Sequence, residues 1–230
     1  MRETQGNVLF LILIAVVLFA ALSYAVTQSS RGTGNGDSEQ RKLDASAILN
    51  YTTSIANAVN RLKMINGCGE LEISFDNPLD TGYTNPNSPA DRSCHIFDPN
   101  GGGVSPILNA QGTTNTFYYT GNMAISGVGT TEPELAISWW SESGEPELEY
   151  EICSHINEGI GFVDSGVPAV TSNYSSVAVY KFAGAASGLY GYTASSAHVT
   201  GNATISGKTI GCVRGNGGQR YMFFHVLIER

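Results

Sequence analysis

The amino-acid sequence opens with a long run of apolar residues in a chain that is otherwise polar. Residues 8–26 contain no charged side chain, and nineteen residues in a helix extend about 28 Å, close to the thickness of a bilayer's hydrocarbon core. We therefore predict a leader and a transmembrane helix over residues 1–28. A removed signal peptide is the alternative, because small residues between Ala20 and Ala25 could form a cleavage site.

A glycine-rich stretch and a second helical pattern follow the apolar run. Residues 29–37 contain Gly32, Gly34 and Gly36, which predicts a flexible linker or hinge. Over residues 38–66 the apolar positions recur every three or four residues, which predicts an amphipathic helix ending at Gly67. Its apolar positions include Ile48, Ile55, Val59 and Leu62. We expect this face to pack on the sheet that follows, and a contact between subunits is the alternative.

The remaining residues, 67–230, change to a period of two with many turn residues, which predicts a β-rich domain. Arg2 in front of the apolar run favours an amino terminus on the inside, so we expect this domain to be extracytoplasmic. The fold class is therefore α+β, with a transmembrane helix, a hinge, and an amphipathic helix packed on a mainly antiparallel sheet. We expect the last strand to lie centrally in the sheet because it is the most apolar. The predicted strands are 70–75, 104–108, 116–125, 134–140, 147–153, 176–182, 203–206, 209–213 and 220–228.

Charge and cysteine content narrow the class of protein. The formal net charge is −8, so a nucleic-acid partner is not expected, since such a partner needs Lys and Arg to neutralise its phosphates. Four cysteines follow the apolar run without any CxxC spacing, which favours two disulfides over a zinc site. Of three possible connectivities we favour Cys68–Cys94 and Cys153–Cys212. Four reduced, buried thiols are the alternative.

The residues in front of the apolar run carry the only resemblance to a known family. The polar leader Met1-Arg2-Glu3-Thr4-Gln5-Gly6 ends in glycine, and the apolar helix begins at once. This resembles a type IV pilin or pseudopilin precursor. The resemblance implies cleavage by a prepilin peptidase between Gly6 and Asn7, and a retained helix that anchors the subunit and forms the filament core. The implied anchor and core residues are Val8, Leu9, Phe10, Leu11, Ile12, Leu13, Ile14, Val16, Val17, Leu18 and Phe19.

Two positions depart from the pattern of that family. The family usually begins its mature chain with Phe or Met, where this chain has Asn7. It usually carries Glu at the fifth mature position, where this chain has Leu11. Without that carboxylate, the charge pairing that sets one subunit against the next is missing. The departures favour a minor or tip subunit, or an anchor that is never cleaved.

Acidic residues form the densest charge feature of the chain. Glu145, Glu147, Glu149 and Glu151 alternate with other residues and would line one face of the strand predicted at 147–153. Because burying four like charges is prohibitive, we expect that face to be solvated on an edge strand or to bind cations. Calcium is the candidate cation, with Asp98 and Asp164 in glycine-rich loops as weak candidate ligands. No other cofactor is expected.

Catalytic patterns are weak. Trp139 and Trp140 beside paired carboxylates suggest a sugar site, but neighbouring side chains on a strand point to opposite faces, so one Trp should face the core. The histidines lack HxH and HExxH spacing, and His225 is expected to be a paired core histidine. We therefore do not expect an enzyme, and a hydrolase is the least favoured alternative.

The sequence thus predicts a pilin-like subunit, in a minor or tip position, of a surface filament or secretion-type pseudopilus. The resemblance implies that its partners are copies of itself or other pilin-like subunits, membrane lipid, and the prepilin peptidase with the assembly machinery. It also implies a bacterial protein, either in the inner membrane with an extracytoplasmic domain or in an extracellular filament. The main alternative is a membrane-tethered surface binding or adhesion module that does not polymerise.

Overall fold

The computed structural model describes residues 6–29, 33–130, 132–141, 146–162, 166–171, 180–185, 191–215 and 220–230. Within these, side chains are described except at 6–9, 25–29, 33–35 and 193–198. The chain divides into two units, Met1–Gln40 and Arg41–Arg230.

Helix α1, Gly6–Ser29, forms most of the first unit. It contains neither proline nor a charged residue, so nothing in its sequence interrupts the helical hydrogen bonds. In the part of the chain that the structure describes, no helix combines the length and hydropathy of a membrane span. The transmembrane part of the predicted fold is therefore not confirmed.

Helix α2, Thr33–Met64, begins earlier than the amphipathic pattern predicted. It includes Gly34 and Gly36, which the sequence assigned to a linker, while residues 30–32 lie outside the described residues. Once a helix is nucleated, each added residue gains a hydrogen bond, and a glycine costs only about 1 kcal/mol relative to alanine. The end of the helix follows the prediction, since Gly67 has φ 67° and the Cys68 N–H donates to Leu62 O at 3.1 Å.

Five strands form one sheet in the second unit. They are β1 (Tyr118–Ile125), β2 (Glu134–Trp140), β3 (Tyr192–Val199), β4 (Ile210–Arg214) and β5 (Tyr221–Ile228). The sheet order is β3-β1-β2-β5-β4, in which β1, β2, β5 and β4 are antiparallel neighbours and β3 pairs parallel with β1. The prediction that the last strand lies inside the sheet is confirmed, because β2 and β4 flank β5.

Several predicted strands do not form, and one strand was missed. Residues 70–75 contain a 3-10 turn, Glu70–Glu72, followed by an isolated bridge from Ser74 to His95. Residues 104–108 have no strand, and residues 203–206 form a turn. The prediction at 176–182 falls largely outside the described residues. Strand β3 was missed because Tyr192–Val199 carries small and polar residues without an apolar alternation.

Helix α3, Pro146–Gly159, replaces the strand predicted at 147–153. Pro146 stands at the first helical position, where its fixed φ suits a helix, and Glu147 and Glu149 favour the positive end of the helix dipole. Leu148, Ile152 and Ile156 recur every four residues and pack into the core. Glu147, Glu149 and Glu151 are therefore distributed around a helix and do not form one face of a strand.

Both faces of the sheet carry an apolar core. On one face, α2 and α3 cover residues such as Ile137, Trp139 and Phe223. The prediction that the apolar face of α2 packs on the sheet is confirmed, since Ile48, Ile55, Val59 and Leu62 are buried in this cluster. On the opposite face, loop residues Val128, Val170 and Ile205 cover Met222, Phe224 and Val226.

Two disulfides tie the second unit together, with the connectivity that the sequence favoured. Cys68–Cys94 joins the end of α2 to a loop, and its Cα atoms are 5.9 Å apart. Cys153–Cys212 joins α3 to β4, with Cα atoms 5.2 Å apart. Both distances lie in the range that a disulfide requires. All four cysteines are thereby accounted for, so the alternative of four reduced thiols is wrong.

Candidate functional site

The first candidate site is the surface of α1. Every side chain from residue 10 to residue 24 is exposed, and large apolar side chains dominate, with 62% of Phe10 and 75% of Phe19 accessible. An apolar surface that continues around a whole helix is unfavourable in water. Removing one CH₂ group from water is worth about 0.8 kcal/mol, and exposed side chains forgo that free energy. The arrangement therefore provides a surface that is suited to contact with other apolar groups.

The predicted processing residues lie at the start of this helix. Gly6 and Asn7 are its first two residues, and Leu11 stands at the position where the resembled family carries a carboxylate. The Leu11 side chain is exposed and apolar. Of the predicted anchor residues, Val8 and Leu9 belong to α1, but their side chains lie outside the described set.

The second candidate site is an apolar cavity of about 420 Å³ in the second unit. Small residues line it: Gly82, Thr84, Pro86, Asn87, Ala183 and Ala185. Beside this lining, the Lys181 ammonium group donates to Asp80 Oδ1 at 2.5 Å and to Thr81 O at 2.8 Å. The same ammonium lies 4.9 Å from the ring centre of Tyr83. The volume of this cavity is in the range of small-ligand sites, which are commonly lined by apolar groups with a few polar atoms.

The third candidate site is a second cavity, of about 360 Å³, between α2 and the end of β5. Ala56, Asn60 and Lys63 form its helical wall, and Thr209 and residues 225–229 form the rest. The Lys63 ammonium group donates to Glu70 Oε1 at 3.1 Å. Burial lowers the pKa of His225 to about 4, so this imidazole is neutral at physiological pH.

The acidic cluster predicted from the sequence does not form one surface. Glu149 is buried and accepts a hydrogen bond from Asn115 Nδ2 at 3.0 Å, so the expectation of a fully solvated glutamate face is wrong. Glu151 Oε2 lies 3.9 Å from the Arg41 guanidinium group. Glu145 lies outside the described residues. Because α3 turns by about 100° per residue, it separates side chains that an extended strand would align.

Of the two weak calcium candidates, the structure describes only Asp98. Asp98 is held by the Arg92 guanidinium group at 2.9 Å and by the Asn100 N–H at 2.9 Å, so both carboxylate oxygens already have partners. Asp164 lies outside the described residues. Among the residues that are described, no group of three or more His, Cys, Asp or Glu could hold a metal ion.

The two tryptophans lie on opposite faces of β2, as the strand periodicity predicted. Trp139 is buried and stacks on Phe223, with ring centres 6.2 Å apart. Trp140 packs against the other core, with the Arg220 guanidinium group 5.2 Å from its ring centre. The pair therefore does not form a joint platform for a sugar.

Sequence reasoning also missed polar groups that the fold buries. Glu134 has an accessible fraction of 0%, its Oε2 accepts the Ile125 N–H at 3.2 Å, and burial raises its pKa to about 7. The His225 Nδ1 atom is buried and has no hydrogen-bond partner among the described residues, so the expectation of a paired core histidine is wrong for that atom. The sequence did contain one signal for the burial of Glu134, because this charged residue stands at the start of an otherwise apolar strand.

Comparisons with known proteins give no further assignment. No protein-family model, no curated protein and no solved structure matches the chain.

Proposed function

We propose that the chain is a pilin-like subunit of a surface filament or secretion-type pseudopilus, in a minor or tip position. One observation carries the proposal: every described side chain of α1 from residue 10 to residue 24 is exposed and uncharged. In a filament, the same helix of neighbouring copies would cover these side chains. The free energy gained by burying them would drive assembly.

Other features are consistent with this role. The polar leader ends at Gly6, where α1 begins, as in prepilin precursors. The second unit combines most of the long helix α2 with a mainly antiparallel sheet, which is the general layout of a pilin head. Its two disulfides suit a domain that matures outside the reducing cytoplasm.

The position in the filament follows from Leu11 and Asn7. A subunit in the body of a filament must register its amino terminus against a neighbour, and a carboxylate at residue 11 would supply the charge pair. Leu11 supplies only apolar contact area. A capping or minor subunit needs fewer such contacts, so these residues favour that role over a major subunit.

Cysteine cross-linking tests whether α1 contacts α1 of another copy. The native cysteines are all in disulfides, so Ile14→Cys introduces the only thiol. We expect oxidation of the native assembly to give covalent dimers through this position. Ser105→Cys, on an exposed loop, is the matched control and should give far fewer. Equal yields from the two variants, or no dimer at all, would contradict the proposal.

A second candidate function is a surface binding module that does not polymerise. The apolar cavity lined by Gly82, Pro86 and Ala183 favours it, because that cavity could accept a small apolar group. This alternative predicts ligand binding by the second unit and no cross-link between copies at residue 14. The cross-linking experiment therefore separates the two functions.

A further inference from the structure

The Lys181 side chain reaches a loop that lies 101 residues earlier in the chain. Its ammonium group donates to Asp80 Oδ1 at 2.5 Å and to Thr81 O at 2.8 Å. Each side chain of the Lys181–Asp80 pair keeps only 21% of its surface accessible. The pair is therefore largely withdrawn from the water that weakens an exposed ion pair.

Hydrogen bonds fix the loop that carries Asp80. The Asn77 Oδ1 atom accepts the backbone N–H groups of Leu79 and Asp80, both at 2.9 Å. The amide nitrogen of the same side chain donates to Phe75 O at 3.0 Å. An asparagine that bonds to the backbone two and three residues on holds a turn in one conformation. The fold therefore presents the Asp80 carboxyl group from a defined position.

The Lys181 side chain is also held in place. The Phe182 N–H donates to Tyr119 O at 2.9 Å, which ties the segment to β1 next to the lysine. The lysine stem passes Gly82, where an added Cβ would lie 3.3 Å from Lys181 Cδ. The ammonium group lies 4.9 Å from the ring centre of Tyr83, a contact that stabilises a cation with little water around it. Nζ is therefore positioned beside the carboxyl group before any reaction.

The second carboxylate oxygen of Asp80 makes the ion pair costly. Oδ2 is buried and has no hydrogen-bond partner among the described residues. An ionised carboxylate loses more on burial without a partner than a neutral amide carbonyl does. A covalent bond between the two side chains would remove both charges, and its amide N–H would still donate to Thr81 O.

We propose that Lys181 and Asp80 form an intramolecular isopeptide bond between Nζ and Cγ. A proton of the ammonium group first passes to Oδ1 along the hydrogen bond, which leaves a neutral amine and a neutral carboxyl group. The amine nitrogen then attacks Cγ, and the bond between Cγ and Oδ1 breaks. Oδ1 takes a second proton from the nitrogen and leaves as one water molecule. The reaction moves no electrons to or from another compound and needs no co-reactant.

Proximity favours this condensation, which is unfavourable between separate molecules in water. A nitrogen in hydrogen-bond contact with a carboxylate oxygen lies about 3–3.5 Å from the carboxyl carbon, the separation of a near-attack geometry. Groups oriented in this way react with effective concentrations of about 10⁵–10⁸ M. The burial of both side chains also limits the water that would reverse the reaction. The bond would join residues 180–185, which contain no cysteine, to the loop at Asp80.

Tryptic peptide mapping of the reduced, full-length protein by tandem mass spectrometry tests the bond. We expect a branched peptide in which Asp80 is joined to an uncleaved Lys181, with a mass one water molecule below the sum of its two arms. Linear peptides with cleavage after Lys181 would overturn the proposal. Loss of water at Asp80 with normal cleavage after Lys181 would identify a succinimide and would overturn it equally.

The Lys63–Glu70 pair is a control within the same sample. Its N–O distance is 3.1 Å, but its side chains are 35% and 37% accessible, so we expect normal cleavage after Lys63 and an unmodified Glu70. The variant Lys181→Arg keeps a cation beside Asp80, and its guanidinium group stays protonated and does not attack a carboxyl carbon. This variant should give no branched peptide. A branched peptide at Asp80 that persists in Lys181→Arg would show that another lysine is the donor, and the assignment would be wrong.

Discussion

Glu134 places a carboxyl group inside the second unit, at the start of β2. One oxygen accepts the Ile125 N–H, while Oε1 is buried without a hydrogen-bond partner among the described residues. Burial is the main cause of its raised pKa, about 7, and the nearby charge of Glu229 raises it further. A charged Glu134 therefore weakens the fold, and a protonated one does not.

We predict that Glu134→Gln makes the protein more stable than the parent at neutral and alkaline pH, where the parent carries a buried charge. The pKa of Glu134 is higher in the folded than in the unfolded protein. Its contribution to the parent's free energy of unfolding is therefore complete below about pH 4.5 and is lost as the pH rises through about 7. The free energy of unfolding of the variant should be about 3 kcal/mol higher than that of the parent at pH 8. Urea denaturation at pH 5 and pH 8 measures the difference.

The exposed neighbour Glu132 provides the control for this measurement. Glu132→Gln should keep the pH dependence of the parent protein. His225 contributes an opposite slope between about pH 4 and 6.5, since its folded pKa is lowered to about 4, and this contribution cancels in the comparison. A Glu134→Gln variant with the parent's pH dependence would refute the assigned burial of the charge.

Asn157 is a second buried polar residue, and its side chain acts as a strand partner. Its Oδ1 accepts the Cys212 N–H at 2.8 Å, and its Nδ2 donates to Cys212 O at 2.9 Å. These bonds satisfy the outer edge of β4, where an unpaired strand would otherwise invite association. Arg214 next along the edge is bonded to Pro168 and Val170.

We predict that Asn157→Ala lowers the free energy of unfolding by about 2–4 kcal/mol, because it leaves a buried N–H and C=O without partners. Thermal or urea denaturation checks the value. Asn50→Ala, at an exposed site, should change stability by less than about 0.5 kcal/mol. A similar small change in Asn157→Ala would show that water replaces the side chain at no cost.

At the scale of elements, the sequence predicted the long, strongly patterned ones and missed the ambiguous ones. Strands β1, β2, β4 and β5 were identified because apolar, aromatic and β-branched residues mark them. The segment at Pro146–Gly159 fits a period of two through its glutamates and a period of four through Leu148, Ile152 and Ile156. The apolar period decides the structure because only apolar burial supplies enough free energy.

Long-range features of the site could not be read from the sequence. The buried state of Glu134 depends on a turn that returns to Ile125, and the cavity between α2 and the end of β5 depends on where β4 stops pairing. Both are properties of register and topology, which no local pattern encodes. The cysteine pairing was an exception, because the favoured pairs were the sequence-local ones.

Each disulfide joins two separate parts of the second unit and should therefore contribute to its stability. Removing either with a double alanine variant, Cys68→Ala with Cys94→Ala or Cys153→Ala with Cys212→Ala, should lower the free energy of unfolding by about 3–4 kcal/mol. The Cys153–Cys212 pair should have the larger effect, because it closes 59 residues against 26. Chemical denaturation of the two variants measures the losses.

Non-reducing peptide mapping checks the connectivity itself. A fragment in which Cys68 is joined to Cys153, or either variant retaining the parent's stability, would contradict the assigned pairing. The comparison of the two variants also serves as an internal control, because both remove the same atoms from buried positions.

At the scale of the whole molecule, two units carry different physical roles. The first presents a helix whose described side chains, from residue 10 to residue 24, are all exposed and mostly apolar. The second buries two apolar clusters on the two faces of its sheet, and both disulfides lie in the cluster that α2 and α3 cover. A protein that keeps the first unit must place it among other apolar groups, which is the basis for proposing assembly.

The most direct test of this account is the mass of the mature protein isolated from its native cell surface. The account predicts a chain that begins at Asn7, retains the whole of α1, and is recovered in high-molecular-weight assemblies. Gly6→Leu should block this processing and leave Met1 in place. A monomeric mature protein that lacks the first thirty residues would contradict the central claim that α1 is kept as the assembly element.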